Sequence, residues 1–209
     1  MLAFFLASFT TLFSIVNPMG AVGPFLAMTL SETETKRREM ALRASIVSGG
    51  VLAFSAAVGA FVFKFYGITI PALKIAGGVL LFFVAFDMLN ARPSRSKQTV
   101  EEEKEGVLKD DIAVFPLAIP LLSGPGAIAS VFILTDKASS LDRHIGLYAA
   151  IFVSSVIVYF VLREAHRVVR ILGQIGVNVT SRLMGLVLAS IAMQFIIDGL
   201  KAALPGLAN

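Results

Sequence analysis

Six apolar runs divide the chain, at about 2–29, 41–63, 70–89, 112–134, 145–162 and 183–200, and polar connections too short for a soluble domain separate them. Stretches of roughly 20 apolar residues are long enough to cross a bilayer as helices. The pattern predicts an all-α membrane protein with six transmembrane helices. Two of the runs are interrupted. "SIVNPMGAVGP" (14–24) places Asn-Pro and two glycines inside the first, and "PLLSGPGAIAS" (120–130) places Pro and Gly inside the fourth.

Composition agrees with the pattern. Of 209 residues, 56% are hydrophobic and 15% charged, with a mean hydropathy of +0.83; soluble domains carry about 25% charged residues. The absence of cysteine removes disulfides, thiol redox chemistry and cysteine metal sites. The N-terminus has no basic region or small-residue cleavage signal, so the first run is read as a retained span. A net charge of +4 without a basic, aromatic-interleaved patch gives no sign of nucleic-acid binding.

The longest polar segment, 90–111, has mixed charges and no apolar face, and reads as a solvated loop. It divides a first half, 1–89, from a second, 112–209. Eleven Lys and Arg fall in the first-second, third-fourth and fifth-sixth connections, whereas the opposite side has only Lys64, Lys137, Arg143 and Lys201. The positive-inside rule makes the richer side cytoplasmic and puts both termini outside a cell (inner) membrane.

The halves also resemble one another. "GAVGPFLAMT" (20–29) aligns with "GAIASVFILT" (126–135), and "GITIPALKIAGGVL" (67–80) with "GVNVTSRLMGLVL" (176–188) with one residue of slip. With three spans per half, the second half enters the membrane inverted, an organisation found in many secondary transporters. The breakers then acquire a purpose. Asn17 can cap a helix whose first residue is Pro18, and Ser123-Gly124 before Pro125 predicts the same start in the other half. Spans one and four should each stop, unwind and restart, presenting free amides and positive dipole ends near the midplane. Such ends suit the carboxylate of a small anion or zwitterion. The plainer alternative is that proline and glycine only kink or pack membrane helices.

"NPMGAVGPFLAMT", "FPLAIPLLSGPGAIA", "GITIPALKIAGG" and "SRLMGLVLASIAMQFIIDGL", in that order, resemble the MarC family, also called the neutral amino acid transporter family, whose transport-defined branch is the SnatA type. The resemblance runs almost end to end and weakens only in the 90–111 loop. It implies membrane passage of small neutral amino acids of the glycine, alanine and serine class.

The expected substrate site is Asn17, Pro18, Gly20 and Ala21 from one half with Ser123, Gly124, Pro125, Gly126 and Ala127 from the other. Asn17 and Ser123 would orient the substrate or cap the helices, and the glycine amides would take its carboxylate. No Asp or Glu lies at mid-span, and the cations lie near span ends, so neither a cationic nor an anionic cargo finds its counter-charge. Lys74 and Arg182 occupy matching positions and either snorkel to the interface or gate one side. Gln194 either bonds within the bundle or lines the path, and Asp87 and Asp198 read as end-of-helix residues. Coupling to a proton or sodium ion is open, with backbone carbonyls at the unwound points as the better ligands for an ion. No cofactor or metal site is expected. An intramembrane hydrolase lacks its motif, since "LLSGPG" has no Gly-x-Ser-Gly and both histidines sit at span ends. A passive channel for small solutes and a non-transporting scaffold stay as alternatives to a carrier.

Overall fold

The computed structural model describes residues 1–30, 32–90 and 113–204, and every described element is helical. The linker expected at 90–111 lies, apart from Asn90, outside the described residues. The first apolar run forms α1 (Leu2–Val16) and α2 (Pro18–Met28), separated by Asn17. The long α3 (Glu34–Tyr66) and α4 (Ile70–Leu89) follow. After the linker come a π-helix, π1 (Ala113–Leu122), then α5 (Pro125–Lys137), α6 (Leu141–Arg163) and α7 (Ala165–Ala203). Among the described residues five helical stretches are long and apolar enough to span a bilayer: Leu2–Met28, Glu34–Gly59, Ile70–Leu89, Leu141–Arg163 and Ile175–Ala203.

Two helices exceed the runs that predicted them. The run at 41–63 grows backward to Glu34 because its polar first turns are held by ion pairs one turn apart, Arg38 with Glu34 at 3.7 Å and Arg43 with Glu39 at 2.7 Å. Hydropathy alone does not register such an extension. The run at 183–200 lies inside α7, which begins at Ala165 and bends at Gly173, whose φ of 64° is a left-handed value favouring glycine. The expected fifth-sixth connection is therefore largely helix, and Arg182 sits deeper in it than one turn.

The sequence of π1 favours a departure from the α-helix, because Pro116 and Pro120 have no N–H to give to a carbonyl four residues back. At its end Ser123 N–H donates to the Ala118 carbonyl five residues back at 3.0 Å.

Helices in lipid gain little from apolar burial against one another, so close packing and hydrogen bonds hold them. The broadest seam is α4 against α7, and glycine makes it close. A Cβ on Gly78 would stand 2.8 Å from the Ala192 carbonyl, and one on Gly185 would stand 3.2 Å from the Ala85 carbonyl. Gly78 meets Ile196, Gly185 meets Met88 and Gly199 meets Ile75, so the two helices run antiparallel. Against α6 stand both α3, where Gly49 lies on Ser155, and α1, where Phe4 and Phe5 lie on Gly146.

Candidate functional site

The first interruption is built around one side chain. Asn17 adopts the left-handed conformation (φ 50°, ψ 67°), the sole non-glycine among the described residues to do so. Asparagine tolerates this region better than most residues. Its N–H closes α1 on the Phe13 carbonyl at 3.0 Å, while its Oδ1 accepts from the Gly20 amide at 3.1 Å and opens α2. One residue thus ends one helix and starts the next, and Pro18 fills the first position, where no N–H is required. Gly20 is obligatory here, because a Cβ would run into the Asn17 side chain that caps the helix.

The second interruption lies 106 positions later but is built otherwise. Ser123 does not cap α5. Its hydroxyl donates backward to the Ala118 carbonyl at 2.8 Å and so secures the end of π1. The cap position falls to Gly124 in an extended conformation (φ −66°, ψ 174°), without a side-chain hydrogen bond. The expectation that Ser123 mirrors Asn17 as a cap is corrected on this point: the π-helix leaves a carbonyl that the serine reaches more readily.

Asn17, Pro18, Ala21, Ser123, Gly124, Gly126 and Ala127 are buried, Gly20 is half-buried and Pro125 is exposed. The interruptions are neighbours in a crosswise sense, since α1 packs on α5 and α2 touches π1. At the restarts the amides of Met19 in α2 and of Gly124 and Gly126 at the start of α5 have no hydrogen-bond acceptor among the described residues. The others are already engaged: Ala21 N–H donates to the Asn17 carbonyl at 3.2 Å, and Ala127 and Ile128 N–H donate to the Gly124 carbonyl at 2.9 and 3.1 Å.

The remaining candidates lie elsewhere. Lys74, half-buried, and Arg182, exposed, occupy opposite ends of the antiparallel α4–α7 seam. Neither makes a hydrogen bond or ion pair among the described residues. Gln194 is exposed and donates to Asp198 at 2.7 Å, and Asp198 pairs with Lys137 of α5 at 3.7 Å. That link ties the ends of α5 and α7 together.

Sequence reasoning passed over three residues. Ser8 on α1, Ser130 on α5 and Ser154 on α6 are buried, and their hydroxyls have no hydrogen-bond partner. Most other hydroxyls in these helices turn back onto the carbonyl four residues earlier, as in Thr11, Ser14, Thr29, Ser45 and Thr135. The letter Ser in an apolar run carries no sign of which course it takes.

Two cavities lined by described residues lie away from the interruptions. One, of about 240 Å³, is rimmed by arginines where α3 begins and α6 meets α7. The other, an apolar groove of about 520 Å³, runs between α3 and α6.

Residues 2–204 match the model of the MarC family integral membrane proteins. A UPF0056 membrane protein of Pyrococcus abyssi is 39% identical over 199 residues, 95% of each chain. YhcE of Escherichia coli, another UPF0056 membrane protein, is 35% identical over 96% of this chain and 94% of its own. YvbG of Bacillus subtilis, also a UPF0056 membrane protein, is 35% identical over the full length of both. No solved structure matches the chain. Helices long enough to span a bilayer, the motifs at both interruptions and a family match over almost the whole length agree: the chain belongs to the MarC family of multi-pass integral membrane proteins.

Proposed function

We propose that this protein is a secondary carrier for small neutral amino acids, with six spans arranged as two inverted three-helix repeats and a site at the two interruptions. The observation that carries the reading is the pair of helix restarts, which leave the amides of Met19 on one side and of Gly124 and Gly126 on the other without an acceptor among the described residues. An unengaged amide at a helix N-terminus favours a carboxylate, both as a donor and through the helix dipole. Among the described residues no Asp, Glu, Lys or Arg is buried. A zwitterion without side-chain charge suits such surroundings better than a cation or an anion does.

Features at a constant offset support the inverted repeat. Asn17 and Ser123, Gly20 and Gly126, and the left-handed Gly67 and Gly173 all lie 106 positions apart. So do Thr29 and Thr135, whose hydroxyls donate to the matching carbonyls of Phe25 and Val131. The antiparallel course of α4 and α7 is what inversion of the third helix in each half requires. Irregular backbone at membrane depth is tolerated where protein covers it, as it covers Asn17 and Ser123. The buried and unpaired Ser8, Ser130 and Ser154 would line the polar route. Both termini would face outward, and coupling to a proton or sodium ion is compatible with the same site.

Counterflow of labelled glycine or alanine in proteoliposomes tests the reading. Native protein should show saturable, accelerated exchange, which a passive pore does not. Asn17→Ala and Ser123→Ala, each checked for folding, should abolish it. Absence of exchange with every small neutral amino acid would remove the carrier assignment. Exchange that survives both substitutions would move the site.

A further inference from the structure

The two cavities described above lie end to end along α3 and α6. Arg38 stands one turn before Leu42 on α3, and Arg163 stands one turn after Tyr159 on α6; the arginines line the small polar cavity, while Leu42 and Tyr159 line the apolar groove. Between them Arg163 donates to the Tyr159 hydroxyl at 3.3 Å, with its guanidinium carbon 5.9 Å from the ring centre. The polar cavity therefore adjoins one end of the groove.

Their chemistries are complementary parts of one ligand. Five arginines (Arg37, Arg38, Arg163, Arg167 and Arg170) line the polar cavity against two carboxylates, Glu34 and Glu164. Glu34 pairs with Arg38 at 3.7 Å, and Glu164 with Arg167 at 2.8 Å and Arg163 at 3.6 Å. Arg37 instead donates to the Thr29 carbonyl at 3.0 Å and lies against His166, and Arg170 has no partner among the described residues. Three positive charges are left over, facing Phe25, Leu26 and Leu162 on the inner wall.

The groove is almost wholly apolar and follows α3 from Leu42 to Ala53. At 1.5 Å per residue that is about 16 Å, close to one leaflet of a core roughly 30 Å thick. Its walls are matched residues of the two halves, Ile46 with Phe152, Gly50 with Val156 and Ala53 with Tyr159, each 106 positions apart. It is open toward the lipid, with Ile46 and Phe152 both exposed.

We propose that this composite cavity binds an anionic phospholipid of the leaflet at the Arg163 end, with its phosphate among Arg37, Arg163 and Arg170 and one acyl chain along the α3–α6 groove. Basic pockets between membrane helices hold anionic headgroups by charge-assisted hydrogen bonds. The groove is what separates a lipid from a free phosphate, which would use the arginines alone. The assignment concerns a surface distant from the helix interruptions and stands whether or not the chain carries amino acids.

The test is lipid retention by purified full-length protein in native mass spectrometry, with phosphatidylglycerol, phosphatidylcholine or inorganic phosphate added. Phosphatidylglycerol should be retained in preference to the other two and should raise the unfolding temperature. Arg163→Gln with Arg170→Gln should weaken its retention, about fivefold per arginine removed. Gly50→Phe fills the groove from a position where an added Cβ meets nothing within 4 Å, so the fold should tolerate it. It should also weaken retention while leaving the arginines in place. Equal retention of phosphatidylcholine, a phosphate effect as large as that of phosphatidylglycerol, or unchanged retention in Gly50→Phe would each overturn the proposal. So would a second copy of the chain occupying the face in place of lipid.

Discussion

Asn17 and Ser123 lie 106 positions apart, and each interrupts an apolar run in its own way. At Asn17 a single left-handed residue turns the chain, and its side chain reaches forward to the new helix. At Ser123 the old helix widens into a π-helix around two prolines, and the side chain reaches back to its end. The first device loads the cap onto one amide oxygen; the second spreads the strain over a wider turn and leaves the new helix without a side-chain cap. Two helix restarts of similar sequence therefore share an architectural task without sharing its chemistry. The α2 start is fixed by its own cap, whereas the α5 start depends on packing, with Gly126 set against Leu81 of α4.

That comparison presupposes that the halves are held in place by the α4–α7 seam, where substitutions should have their largest effect. Gly78→Leu would drive a side chain into Ile196 and the Ala192 carbonyl, at 2.6 and 2.8 Å from the added Cβ. Backbone on the far side cannot yield, so the loss should reach about 3 kcal/mol or more. Gly185→Leu should do comparable damage from the matching side of the seam, where the Ala85 carbonyl and Leu89 amide both lie 3.2 Å from the added atom. Unfolding in a denaturing detergent titration would show both. A mild result at Gly185 with a severe one at Gly78 would mean that the seam is not used equally by the two halves.

Asn17→Ala loses the cap and places alanine in a left-handed conformation, a combined cost of about 2 kcal/mol. Asn17→Gly keeps the backbone permissive and should cost only a few tenths. Ser123→Ala removes one neutral hydrogen bond to a carbonyl that still accepts the Ser123 amide, so about 1 kcal/mol is expected. The order Asn17→Ala, Ser123→Ala, Asn17→Gly in unfolding free energy is the signature of a cap on one side and a helix end on the other. Equal losses for the alanine and glycine variants at position 17 would show that the backbone conformation is not what asparagine supplies. Gly20→Ala should reproduce only the capping share of the Asn17→Ala loss, about 1 kcal/mol, by displacing the Asn17 side chain, and adding it to Asn17→Ala should cost little more, because both remove that one cap.

Much of this was legible in the sequence because helix breakers and capping residues act locally. "NPMG" contains the stop, the cap, the proline start and the glycine that makes room for the cap, and the structure uses them in that order. "SGPG" misled at Ser123 because the competing acceptor comes from a π-helix, and the register of a helix is set over a whole turn and not by the residue at its end. The polar beginning of α3 and the bent beginning of α7 escaped for a related reason. Ion pairs hold the first, and the second is a polar helical segment set off from the apolar run by the kink at Gly173; an apolar-run reading weighs neither.

The smallest effects on stability should come from Ser8, Ser130 and Ser154, and they bear most directly on the polar route. Each hydroxyl is buried without a partner, so replacement by alanine removes no hydrogen bond and relieves an unmet one. Unfolding temperature should stay level or rise slightly in each single variant. A hydroxyl left unpaired inside a packed bundle is costly to retain unless something intermittently pairs with it, and a travelling zwitterion is the partner that the carrier reading supplies. Ser154→Ala should therefore lower the exchange rate of glycine in a protein at least as stable as the native one, a combination that damage to the fold cannot produce. If all three alanine variants exchange at the native rate, these hydroxyls do not line the route. The path must then run along the Asn17 and Ser123 junctions alone.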